Sequence, residues 1–271
     1  MLMRAPKESG SWTWDLDDVA EPGLESMLVI AGRMSAVLEK YDLLAPASLE
    51  WDWFEAGKGT LSVSSRLNIG ARSLGDPALG DRLRACRPTG HPRAEIGGFL
   101  VLGSGAWFDA DGARHTEHRL VELELTSNQM GTWAELSVFH DVWGQCDFRG
   151  EPHPIIHATN APRLASALQE LDHVLGVAAE PGEPTFYGRA EGYGLGAPDI
   201  IDGLGPDVTN ATRGVGDHRG RGDPPRLRWP RPSSRFASHR WQRRRLHPLR
   251  GCPGRQGPQL TRDTRYLRKR R

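Results

Sequence analysis

Cysteine is scarce in this sequence: three residues in 271, Cys86, Cys146 and Cys252, lie far apart with no C-x-x-C pair. An odd, scattered count excludes a disulfide framework and reads as reduced thiols, the usage expected of a cytoplasmic protein. Long apolar runs are missing too. The most apolar stretch, Leu24 to Leu38, is interrupted by Glu25 and Arg33 and is too short and too polar to span a bilayer. The opening MLMRAPKESGSWTW lacks an apolar h-region, so no signal peptide is expected. Neither the H-E-x-x-H helix of zinc hydrolases nor the G-x-S-x-G nucleophile elbow occurs. Lysine is nearly absent, 4 residues against 31 arginines, which fits a GC-rich coding sequence.

Charge is present but unevenly placed, and the formal net value of +1 hides this. Residues 211–271 carry 18 Arg and 1 Lys against 3 Asp, a net +16, while residues 1–210 carry 16 basic and 31 acidic side chains, a net −15. An acidic body and a basic tail bear on partners, not on the fold.

The body is patterned as folded protein. Ser11 to Asp15 places Trp12 and Trp14 on one face of a short strand. A helix is expected from near Glu21-Pro22, because Leu24, Met27, Leu28, Met34, Val37 and Leu38 recur at helical spacing. Leu49 to Phe54 and Leu61 to Leu67 alternate as a hairpin. A short helix is expected over Ala78 to Cys86. The middle reads as an antiparallel meander. Val121, Leu123 and Leu125 oppose Glu122, Glu124 and Thr126; Ala134, Leu136, Val138, His140 and Val142 oppose Trp133, Glu135, Ser137 and Phe139. A second long helix is expected with Asn160 as N-cap, Pro162 in its first turn and Gly176 as its stop. A last strand is expected at Thr185-Phe186-Tyr187. This order predicts an α+β domain, with a mostly antiparallel sheet and two or three helices packed on one face.

Residues 211–271 differ in kind: seven Gly, seven Pro and 18 Arg, one Val and no Ile. Such a chain cannot bury enough apolar surface to offset its ordering entropy, so a disordered tail is expected. One reading makes it a nucleic-acid-binding arm, with Trp229, Phe236, Trp241 and Tyr266 interleaved among arginines for stacking on bases. The other makes it a frameshift product, since GC-rich DNA read out of frame yields an aperiodic Arg/Pro/Gly string.

Candidate chemistry is limited. His115, His118, His140 and His157, with Glu117, Asp141 and His153 nearby in sequence, are the residue types of a zinc or non-heme iron site and carry the metal-dependent hydrolase reading. Pro152 and Pro154 argue against a helix that would pair His153 with His157. Cys146 lies near His140 and Asp141 in sequence, but a free cysteine is more often structural. Gly192, Gly194 and Gly196 read as loop rather than a phosphate cradle, since no well-patterned helix and no lysine follow. No cofactor is expected. The tryptophans of the body are expected mainly in the core.

The segments IGGFLVLGSGAWFD (Ile96 to Asp109) and HDVWGQCDFRGEPHPIIHATNAPRLASALQELDHVLG (His140 to Gly176) resemble uncharacterised actinobacterial proteins, some of which are similar to immunity factors of toxin systems. The resemblance covers most of residues 10–205 and brings no catalytic residues. It implies a toxin-neutralising binding protein. The acidic body agrees with a basic protein partner met through Glu122, Glu124, Trp133 and Asp141, without enzymatic activity or membrane attachment.

Overall fold

The computed structural model describes residues 1–70, 74–128 and 130–209. The expectations of a disordered, nucleic-acid-binding or frameshift-derived tail, and Cys252, lie outside the described residues.

Eight elements build a large antiparallel sheet and the two helices that cover it. They are β1 (Gly10–Asp15), α1 (Leu24–Lys40), β2 (Ala45–Glu55), β3 (Gly59–Asn68), β5 (Gly98–Phe108), β7 (Val121–Asn128), β8 (Gly131–Val138) and α3 (Pro154–Leu175). The smaller elements are α2 (Ala78–Ala85), β4 (Glu95–Ile96), β6 (Arg114–His118), β9 (Glu180–Pro181), and the hairpin strands β10 (Ala190–Glu191) and β11 (Gly194–Leu195). Strand order is β3-β2-β5-β7-β8-β1-β9, with β4 against β2 and β6 against β5. The fold is α+β, as the pattern predicts. No helix among the described residues is long and apolar enough to cross a membrane.

Period-two alternation decides which side chains enter the core. Trp12, Trp14, Leu49, Trp53, Val101, Leu123, Leu125, Leu136 and Val138 are buried on the side facing α1 and α3, where Met27, Met34, Leu38, Leu164, Leu168 and Leu171 meet them. Each such side chain fully removed from water stabilises the fold by about 1.5–3 kcal/mol. Six of the seven tryptophans of the body lie inside; Trp133 is only half-buried, on the opposite face.

Four local expectations need correction. Helix α3 starts at Pro154, six residues before Asn160, because Pro154 itself suits the first turn. Pro162 then sits inside the helix, and Asn160, fully buried, is an interior residue rather than a cap. The β8 alternation stops at Val138, and Asp141–Trp143 form a 3-10 turn instead of continuing the strand. Thr185–Tyr187 is not a strand; Thr185 Oγ1 instead donates to Glu8 O and receives the Tyr187 N–H, which folds the segment on itself. Gly176 ends α3 as expected, in a left-handed conformation (φ 71°) with its N–H on Asp172 O.

Strands β6 and β7 run along the same edge of β5. Ser104 pairs with His118 and Val101 with Leu123, so the register slips between them at Arg119-Leu120. Arg119 takes a positive φ of 57° there. Bulges of this kind re-aim a side chain, and this one turns Arg119 onto Glu122.

Candidate functional site

The sheet face opposite the helices carries a continuous row of six residues, one from each of six neighbouring strands. Arg66 pairs with Glu50, Glu50 with Leu100, Leu100 with Glu124, Glu124 with Glu135, and Glu135 with Thr13. The strand geometry that sends Trp51, Val101, Leu123, Leu136 and Trp12 inward sends these outward. In the adjoining row, Asp52 pairs with Ser64, and Thr126 with Trp133, which in turn pairs with Asp15. Asp15, Asp52 and Glu124 are exposed, and Glu50, Leu100, Trp133 and Glu135 are half-buried. The face is therefore acidic, with an apolar centre at Leu100 and an aromatic ring at Trp133.

Two kinds of carboxylate share this face. Glu122 is largely buried and neutralised: Arg4 approaches it at 2.6 Å and Arg119 at 2.8 Å. Arg4 also lies over the Phe139 ring, 4.4 Å from its centroid. Glu124 has the opposite character. Desolvation among the neighbouring side chains raises its carboxyl above the ordinary value, and the charges of Glu135, Glu122 and Asp52 push it further the same way. Repulsion from Glu135 on β8, Asp52 on β2 and Glu122 on the same strand marks one shared negative field. Polar contacts to Glu124 and Glu135 come from hydroxyls, Thr126 and Ser137 respectively.

The four residues expected to bind a partner therefore divide. Glu122, Glu124 and Trp133 share the uncovered face. Asp141 does not belong to it: it is buried in the 3-10 turn, its Oδ1 accepting the Met3 N–H at 3.0 Å. Burial raises its carboxyl to about 6. Glu50, Asp52 and Leu100 join the face unannounced by the meander pattern; Glu50 and Asp52 alternate with Trp51 and Trp53 along β2 and so lie opposite the tryptophans.

The four histidines occupy separate settings. His115 stacks on Trp107, with centroids 4.7 Å apart, and its Nε2 lies 2.6 Å from Asp109 Oδ2. That contact holds the Asp109 carboxyl below the ordinary range. His118 lies three residues on in β6 and so faces the other way. His140 is buried, and desolvation lowers its pKa to about 4. His157 lies on the first turns of α3, its pKa lowered by burial and then by the nearby His153. No group of three or more His, Cys, Asp or Glu among the described residues is arranged to hold a metal ion.

Comparison with family models, with curated proteins and with solved structures gives no match to this chain.

Proposed function

We propose that this chain is a non-enzymatic binding protein that docks a basic protein partner on its uncovered acidic sheet face, in the manner of a toxin-neutralising immunity protein. The carrying observation is the Glu124–Glu135 pair. Like charges directly opposed across strands destabilise a sheet, and departures from local consistency concentrate at functional sites. A cationic side chain of a partner seated between them relieves the repulsion. Leu100 and Trp133 supply the apolar and aromatic contact that turns attraction into affinity. The surrounding −15 charge of residues 1–210 speeds encounter with a basic surface. A reducing, cytoplasmic setting is part of this reading, in keeping with the free thiols Cys86 and Cys146.

The test is a screen of purified basic protein toxins for binding to the full chain, repeated with the double variant Glu124→Lys/Glu135→Lys. A partner bound by the wild type with affinity that falls as salt rises, and at least tenfold more weakly by the variant, supports the reading. No partner bound, or equal binding by the variant, contradicts it.

A further inference from the structure

The two edges of the large sheet differ in kind. At one end β9 contributes only Glu180 and Pro181, and a proline has no N–H to offer a further strand. Shortness, a charge and a proline are devices that blunt an edge. At the other end lies β3, 10 residues long, with β2 as its strand neighbour among the described residues. Strand β3 holds no proline, lysine or acidic residue, and Arg66 is its single charge.

A bulge divides this open edge. Between the pairs Asp52–Ser64 and Phe54–Thr60, Trp53 alone stands against Leu61, Ser62 and Val63, and Ser62 takes a positive φ of 53°. Such a bulge bends the strand and interrupts its ladder, so regular pairing on β3 is confined to the residues after Ser62. There Ser64, Arg66 and Asn68 are exposed on the uncovered face, and Val63, Ser65 and Leu67 are half-buried on the helix side. Val63 and Leu67 pack against the core but keep part of their surface in water. A free backbone edge bearing an unfinished apolar row is a template for one more strand.

We propose that a second copy of this chain fills that edge, its β3 running antiparallel to the first about a two-fold axis at Ser65. The strand is complementary to itself in this register. Val63 opposes Leu67 of the second copy and Leu67 opposes its Val63, so two apolar pairs close on the helix side. On the other side Arg66 opposes Ser64 of the second copy. One strand further on stands Asp52 of that copy, which accepts the Ser64 hydroxyl at 2.6 Å, so opposite charges meet across the seam. An axis at Arg66 would set two like charges face to face, and an axis at Ser64 would leave Val63 against a serine.

The seam is short, so the pairing is reversible on dilution rather than obligate. Pairing about a two-fold axis uses up the β3 edge of both copies, and β9 offers no comparable edge, so assembly stops at two chains. The axis stands perpendicular to the sheet, which puts the acidic faces of both copies on the same side. The pairing does not depend on what that face binds.

The experiment is sedimentation velocity of the full chain over a dilution series, with amide hydrogen exchange measured at both ends of the series. A monomer–dimer equilibrium is expected, with exchange in the Val63–Leu67 segment slowed at the concentrated end. Ser64→Lys changes an exposed residue and sets a like charge opposite Arg66 twice in the dimer. It is expected to weaken association about 2–30-fold. Thr60→Lys adds the same charge to an exposed position on the far side of the bulge and is expected to leave association unchanged. A chain that is monomeric throughout, or that assembles beyond two copies, overturns the proposal. So does a dimer that Ser64→Lys leaves intact, that Thr60→Lys weakens equally, or that forms without slowed exchange in Val63–Leu67.

Discussion

Glu124 on β7 and Glu135 on β8 stand directly opposite each other, with Leu100 and Thr13 as the flanking members of the same cross-sheet row. Their mutual repulsion has a sign that stability measurements can read. The Glu124 carboxyl is raised in the fold, so its contribution is fully present below the ordinary carboxylate pKa and is lost as pH rises through the raised value. Glu124→Gln is therefore expected to be more stable than the wild type at pH 7, by about 0.2–1 kcal/mol, with the difference closing toward pH 4. Urea denaturation at the two pH values checks this. A less stable variant would mean that the pair is not repulsive.

Asn160 fastens α3 to the end of β5. Its Nδ2 donates to Phe108 O at 2.8 Å and its Oδ1 accepts the Phe108 N–H at 2.9 Å. Asn160→Ala would leave both backbone groups of Phe108 without these partners in a partly buried setting. A loss of about 2–4 kcal/mol is expected in denaturant unfolding. A loss under 1 kcal/mol would show that the clasp is not a structural requirement.

His140 and Asp141 are neighbours whose titrations oppose each other. His140 is lowered to about 4, so its contribution is present above its ordinary pKa of 6.5 and is lost as pH falls toward 4. Asp141 is raised to about 6, so its contribution is present below its ordinary 3.8 and is lost as pH rises through 6. Between pH 4 and 6.5 the two nearly cancel. Asp141→Asn removes one side of the balance. The variant is expected to gain on the order of 2–3 kcal/mol relative to the wild type at pH 7, a gain that disappears at pH 4. A constant difference across the range contradicts this.

Gly105 on β5 has no room for a methyl group. A Cβ there would clash with the Leu43 carbonyl and the Leu120 side chain, both held by the sheet and its lead-in. Gly105→Ala is expected to lower stability by about 1–3 kcal/mol, read as a fall in thermal midpoint. An unchanged midpoint would show that the lead-in yields freely.

The sheet was legible because alternation is a local property. Val121, Leu123 and Leu125 against Glu122 and Glu124 state the faces of β7 before any neighbour is known. The same rule, applied to Trp51 and Trp53, puts Glu50 and Asp52 outside. Which strands lie side by side was not legible, because the row from Arg66 to Thr13 joins residues far apart in sequence. The start of α3 is not legible in the sequence because Asn160 carries two chemistries. The amide that caps a helix end also clasps a strand, and only the position of Phe108 decides between them. Charge alone groups Asp141 with Glu122 and Glu124; nothing local reveals that the strand stops at Val138 and that the 3-10 turn buries Asp141.

The claim that the acidic face is the docking surface is tested most directly by zero-length carboxyl–amine cross-linking of the full chain to a basic partner from the toxin screen, followed by peptide mapping. The account predicts cross-links concentrated on Glu50, Asp52, Glu124 and Glu135. Cross-links confined to carboxylates away from this face, such as Asp76, Asp111 or Glu180, would contradict it.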